Sequence, residues 1–268
     1  MSRTQAQYMR RMKKRARRKR ALCLMVLGLA VLLSAVGSRL YQQKTEKDAE
    51  AVSVQCRLHG QTWYALRLGT FETEAEAEQQ AAQFLARGAG SVIKRADGTF
   101  HLLAAAYETR ADAVRVQENL SRFYNVESDV YVLSWGSADV MLHGTHKQTG
   151  ALRGCYDLMN ALGDTVSHLI LQLDEGQLSR TDAEATVASC RESIGLLEKE
   201  LLSAFAKDQN ALSNHMADAL YRIGQDFEHA LQSPGDVRFG AYVKGAHLHW
   251  ALAMQEHLML LEGMLSSP

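Results

Sequence analysis

The heptapeptide FETEAEA, residues 71–77, returns thirty-six positions later as YETRADA, residues 107–113. Each copy sits in the same surroundings. An apolar stretch with strand alternation precedes it, at residues 63–68 and again at 100–106, and a helical stretch follows, at 74–87 and 110–123. A second strand closes each copy, at 91–95 and 129–133, and Asp97-Gly98 between the copies is a hairpin turn signal. Thr73 and Thr109 are placed to cap the two helices, with Glu76 and Asp112 three residues on, as in a capping box. Ala77, Ala81, Phe84 and Leu85 form the apolar stripe of the first helix, and Ala113, Val116 and Leu120 that of the second. The acidic run Glu72, Glu74, Glu76 and Glu78 lies round a helix start, where acids suit the dipole, and is read as structural rather than metal-binding.

The resulting order is βαββαβ, an α+β unit of the ferredoxin-like or RNP-like kind over residues 60–136. Both helices on one face leave the other face of the sheet open. Alternation sends Leu66, Leu68, Leu102, Ala104, Val130 and Val132 toward the helices. It sends Arg67, His101, Leu103, Tyr131 and Leu133 to the open face, which makes that face a ligand platform, with cover of Tyr131 and Leu133 by the C-terminal region as the alternative. Phe71 and Tyr107 stand at strand-to-helix turns and are read as packing residues.

The half-motifs YALRLGTF at 64–71 and FHLLAAAY at 100–107 resemble those of the SPOR domain of bacterial cell-division and sporulation proteins. Arg67 stands where that family usually has Gln, His101 replaces a frequent Arg, Leu103 replaces its partner, and Ala105-Ala106 replaces Gly-Pro. The resemblance covers residues 63–135. It implies binding to peptidoglycan, notably glycan strands stripped of their stem peptides, through Arg67, His101, Leu103 and Tyr131. It also implies a role at sites of cell division or sporulation.

The charge is sorted along the 268 residues. Residues 1–20 hold ten Lys/Arg and no acid, and the remainder holds twenty Lys/Arg against thirty Asp/Glu. Residues 21–38 (ALCLMVLGLAVLLSAVGS) carry no charge and, as a helix, would span roughly 27 Å, enough for a bilayer core. The sequence therefore predicts a basic cytoplasmic head at 1–20 and a single transmembrane helix at 21–38. The domains after it are expected outside the cell membrane. A cleavable signal peptide is the rival reading, since Ala35-Val36-Gly37 resembles a small-x-small cleavage site. The polar, weakly periodic stretch 39–59 reads as a linker.

Residues 137–268 show four apolar series at helical spacing and no strand alternation, so an α-helical bundle is expected, with the second and third series either separate or one bent helix. Breaks fall at 174–179, 208–210 and 233–235, and Thr181 and Ser233 or Asp236 are the expected N-caps. Trp250 is read as core. Cys155 and Cys190 are read as reduced core residues, about 13 Å out of level on neighbouring helices. His247 and His249 face different sides of one helix, so no metal site is expected. Nine basic against seventeen acidic residues disfavour anionic polymers, nucleic acid among them. No phosphate loop, nucleophile elbow, HExxH or CxxC is present, so neither an enzyme, a catalytic residue nor a cofactor is expected. The expected partners are peptidoglycan glycan strands, the membrane and an envelope protein bound by the bundle. The alternative is an envelope scaffold whose degenerate SPOR fold no longer binds glycan.

Overall fold

The computed structural model describes residues 51–207 and 210–265. Within them the chain runs through β1 (Ala51–Leu58), β2 (Gln61–Phe71), α1 (Glu74–Ala86), β3 (Val92–Ala96), β4 (Thr99–Tyr107), α2 (Arg110–Tyr124), β5 (Asp129–Trp135) and β6 (Ala138–Thr145). Four long helices follow: α3 (His146–Asp174), α4 (Arg180–Ala204), α5 (Ala211–Gln232) and α6 (Asp236–Leu265). The cytoplasmic head, the transmembrane helix and the first part of the linker, expected over residues 1–50, lie outside the described residues. No helix among the described residues is long and apolar enough to cross a membrane.

The duplicated motif builds the fold it predicts. Strands order as β3-β4-β2-β5, every neighbouring pair antiparallel, with the hairpin turn at Asp97 and Gly98, both at positive φ. Thr73 Oγ1 accepts from the Glu76 amide at 3.3 Å and Thr109 Oγ1 from the Asp112 amide at 3.1 Å, so both motif copies work as helix caps. Ala77 and Ala113, the last residues of the two heptapeptides, are fully buried where each helix meets the sheet.

Two expectations fail at the ends of this unit. Residues 51–58 are a strand rather than linker, and residues 138–145 are a strand rather than the start of a bundle. β1 pairs with β6, and the register runs on from the sheet: Gln61 faces Trp135, and three residues farther out on each strand Leu58 faces Ala138. The first and last sheet strands thus extend as a two-stranded ribbon. The interruption is at Gly60 and Ser137, where the Gly60 amide donates to Ser137 Oγ at 2.9 Å and a Cβ on Gly60 would stand 2.7 Å from the Ser137 nitrogen. Alternation in AVSVQCRL puts Cys56 and Leu58 inward and Gln55 and Arg57 outward. Asn160 of α3 ties the ribbon down, donating to the Arg57 carbonyl at 3.0 Å and accepting from the His59 amide at 3.3 Å.

Thr145 ends the ribbon and caps α3 with a full capping box to Gln148. α4 is capped by Ser179 rather than Thr181, because Ser179 holds the extended backbone a cap requires, and Ser233 ends α5 instead of starting α6. α4 and α5 are separate helices, divided near Phe205. Cys155 and Cys190 are free and buried, and burial pushes the Cys190 thiol up to about 12. Both match the sequence reading.

α6 is buried on more than one side. Phe239, Val243, Ala246, His247, Leu248, Trp250, Ala251, Met254, His257 and Leu258 are all buried, far more than one stripe. The helix packs on α5 and α3 on one side and on β3, β4 and β5 on the other. At its near end Gly90 and Gly245 bring two backbones together, and a Cβ on Gly90 would stand 2.8 Å from the Gly245 nitrogen. There Lys244 Nζ pairs with Asp174 Oδ1 at 2.6 Å, and Tyr107 OH donates to Asp174 Oδ2 at 3.1 Å. Burial and the Asp174 carboxylate hold the Tyr107 phenol well above its ordinary range. The second motif copy is therefore anchored to the helical layer, and the described residues belong to one compact unit.

Candidate functional site

The sheet face opposite α1 and α2 is half covered. Register places Trp63, Ala65 and Arg67 on that face with Leu133, Tyr131 and Asp129 opposite them. Val92 and Lys94 join it opposite Leu103 and His101. α6 crosses this face at its Trp63–Leu133 end. Trp63 packs edge-on against His247 at 4.7 Å and against Trp250 at 5.3 Å, and Trp135 meets Trp250 at 5.8 Å. Trp250 Nε1 donates to the Met159 carbonyl of α3 at 2.7 Å.

This corrects the fully open sheet. Leu103 and Leu133, expected on the free face, are fully buried, whereas Val132, expected under the helices, is 51% exposed on the edge strand. The physical reason is the second layer. Burying Trp63, Val92, Leu103, Leu133 and Trp250 stabilises by on the order of 10 kcal/mol, at about 2 kcal/mol each. Leu103 is thereby a packing residue and makes no surface contact.

The other three predicted residues meet at the uncovered end. Arg67 Nε donates to Asp129 Oδ1 at 2.9 Å, and its Nη2 pairs closely with Asp129 Oδ2. Arg67 Nη1 donates to His101 Nδ1 at 3.2 Å, and Thr70 Oγ1 lies 3.0 Å from the same nitrogen. A guanidinium only donates, so Nδ1 is an acceptor and the neutral ring carries its proton on Nε2. Burial, reinforced by the Arg67 and Lys94 charges, holds the His101 pKa below its ordinary value, which agrees with the neutral ring. The hydrogen bond from Arg67 holds the Asp129 carboxyl below the usual range. The Tyr131 ring lies 5.4 Å from His101, with Arg67 5.6 Å and Lys94 5.3 Å from its centroid. Lys94 Nζ donates to Gln255 Oε1 at 2.6 Å, and Gln255 Nε2 donates to the Ser134 carbonyl at 3.1 Å.

The arrangement suits recognition rather than chemistry. It offers a half-exposed aromatic ring for a sugar face, the Lys94 ammonium for an anion, and the remaining N–H groups of Arg67, whose charge is shared with Asp129, while His101, only 7% exposed, braces Arg67 from beneath. Among the described residues no cluster of His, Cys, Asp or Glu is placed to hold a metal ion.

Thr70, Lys94, Asp129 and Gln255 were not singled out from the sequence. Lys94 and Asp129 carried a usable signal, since both fall on outward positions of predicted strands. Thr70 carried none. The β2–β4 register slips between Ala65 and Arg67 and again between Arg67 and Gly69, and the slips return Thr70 to the face of His101. Gln255 lies outside the sheet unit altogether.

Set against known proteins, the match falls on the sheet unit. The SPOR domain family matches residues 60–126, a quarter of the chain. Residues 60–126 form a SPOR domain. Among solved structures, the peptidoglycan-binding domain of the B. subtilis cell wall lytic enzyme CwlC is similar to it. That likeness is at 20% identity and TM-score 0.24, covering 26% of this chain and 89% of that one. No curated relative matches the chain. The match ends at Val126, before β5, so the strand that supplies Asp129 and Tyr131 to the SPOR sheet is assigned by its pairing with β2.

Proposed function

We propose that this is a single-pass envelope protein whose SPOR domain binds peptidoglycan glycan strands stripped of their stem peptides and so gathers the protein at sites of cell division or sporulation. Residues 1–20 are the cytoplasmic head and 21–38 the membrane anchor, and the SPOR domain with its helical layer stands outside. The observation that carries the reading is the Arg67–Tyr131–Lys94 group left uncovered on the SPOR sheet, with the largely buried His101 ring packed beneath it. Stripping a stem peptide frees a carboxylate on the glycan, and a ring beside two cations complements a sugar that bears one. The matched module is a binding domain, in keeping with a non-enzymatic role.

The test uses residues 47–268, because a fragment of the sheet alone would expose Trp63, Leu103 and Leu133. This unit should pellet with purified wall material treated with amidase. Arg67→Ala should weaken pelleting about tenfold, of the order lost with a charged hydrogen-bond partner, and His101→Ala severalfold. Unchanged pelleting of both variants would place the site elsewhere. A fluorescent fusion of the whole chain should gather at septa.

The burial of Leu103 and Leu133 under α6 favours one second reading, a membrane-anchored scaffold that uses the SPOR fold as a packing platform and the bundle to bind an envelope protein. Absence of pelleting by the parent unit, with diffuse fluorescence, would decide for it.

A further inference from the structure

The helical layer does more than shade the SPOR sheet. α6 crosses from the β3 side, where Gly245 meets Gly90, toward β5, where Gln255 reaches the Ser134 carbonyl. Gln255 is the residue of that helix with hydrogen bonds to both edge strands: to Lys94 of β3 at 2.6 Å and to Ser134 of β5 at 3.1 Å. The two edge strands are separated by β4 and β2, roughly 14 Å at the usual strand spacing. Lys94 must therefore extend across the sheet to bring its ammonium 5.3 Å from the Tyr131 ring. An exposed lysine samples many rotamers and loses that freedom on binding. Gln255 accepts from the ammonium and so selects the extended arm before any ligand arrives. Its own amide is in turn held by the Ser134 carbonyl. The ammonium keeps two more N–H donors for a ligand.

We infer that Gln255 is a positioning residue for the sugar site, holding Lys94 over Tyr131 so that a carboxylate on the glycan meets Lys94 and Arg67 together on the half of the face that α6 leaves free. The inference rests on the proposed glycan binding and adds a determinant from outside the SPOR domain. It also sets the direction of the ligand. With the Trp63–Leu133 end closed by a fixed helix, the strand lies across the sheet beside α6, along the row formed by Lys94, His101, Arg67 and Asp129.

The experiment measures binding of the purified protein to amidase-treated glycan in two forms, native and with its carboxylates reduced to alcohols. Gln255→Ala should weaken binding to native glycan about five- to tenfold and binding to reduced glycan less than about twofold, because the ammonium meets an alcohol there without the charge attraction. Lys94→Ala should show the same pattern, and the double variant should bind no more weakly than Lys94→Ala alone, because both act through one ammonium. Equal weakening on both glycans would mean a general packing defect and would overturn the inference, as would additive losses. If Arg67→Ala abolishes binding while Gln255→Ala is neutral, the glycan reading stands and the role of Gln255 falls. If the parent protein binds neither glycan, both fall together.

Discussion

Replacing Trp250 by Ala should lower stability by about 4 kcal/mol, or on the order of 10 °C in Tm for a unit of this size. The indole is 1% exposed, packs against Trp63, Trp135 and His247, and donates to the Met159 carbonyl at 2.7 Å. Truncation leaves a large apolar void and removes that hydrogen bond. Gly163→Ala tests the same contact from the other side. A Cβ at residue 163 would lie 2.1 Å from the indole ring, so even one methyl group forces the indole or the α3 backbone to shift. Calorimetry on both variants should give losses well above 1 kcal/mol. A smaller loss in both would mean that the helical layer is not stapled to the SPOR sheet through this ring. Binding assays on such variants would also separate packing from recognition, because the Arg67 cluster lies at the opposite end of the face.

Acid should loosen the protein before its carboxylates titrate. His247 and His257 are both 1% exposed, and burial pulls their pKa values down to about 3 and about 4. For His257 the neighbouring His215, 3.4 Å away nitrogen to nitrogen, adds to the effect, and Tyr156 OH lies 2.9 Å from Nε2. In the unfolded chain each ring takes a proton below about pH 6.5, whereas in the folded protein it does not until far lower. The unfolded state thus binds more protons, and stability is intact above pH 6.5 and lost as pH falls toward 4. By pH 5 the loss is about 2 kcal/mol per histidine. Thermal melts from pH 7.5 to 4.5 should show Tm falling by about 10 °C between pH 6.5 and 5. His257→Gln, which keeps a polar partner for Tyr156 and cannot titrate, should remove about half of the slope. A Tm that is level across this range would show that the two rings are already charged or already solvated.

These histidines also show where sequence pattern stops. His247 and His249 are two residues apart on a helix, and spacing alone says only that they face different ways. The fold makes one a buried ring between two tryptophans and the other a partner of Asp226 at 2.6 Å. The run AHLHWALAM over residues 246–254 held a sign of this. Nine consecutive positions without Lys, Arg, Asp or Glu exceed what one bundle seam requires and imply burial on two sides. Likewise AVSVQCRL, within the stretch read as linker, has an alternation that becomes a strand only through a partner some eighty to ninety residues away, and no local signal reports a pairing at that range.

The sequence by itself determined the duplicated βαββαβ unit, its caps, its hairpin and the four helices, because those follow from periodicity, turn chemistry and capping within a few residues. It also placed Arg67, His101 and Tyr131 on one face, since strand alternation is a local rule. Tertiary structure alone decided that Leu103 and Leu133 are buried, that Thr70 returns to that face through compensating register slips, and that Gln255 reaches Lys94 from a helix 161 positions along the chain. Such contacts depend on which surfaces bury the most apolar area when the whole chain condenses. That balance is settled between distant segments and is written in no single one of them.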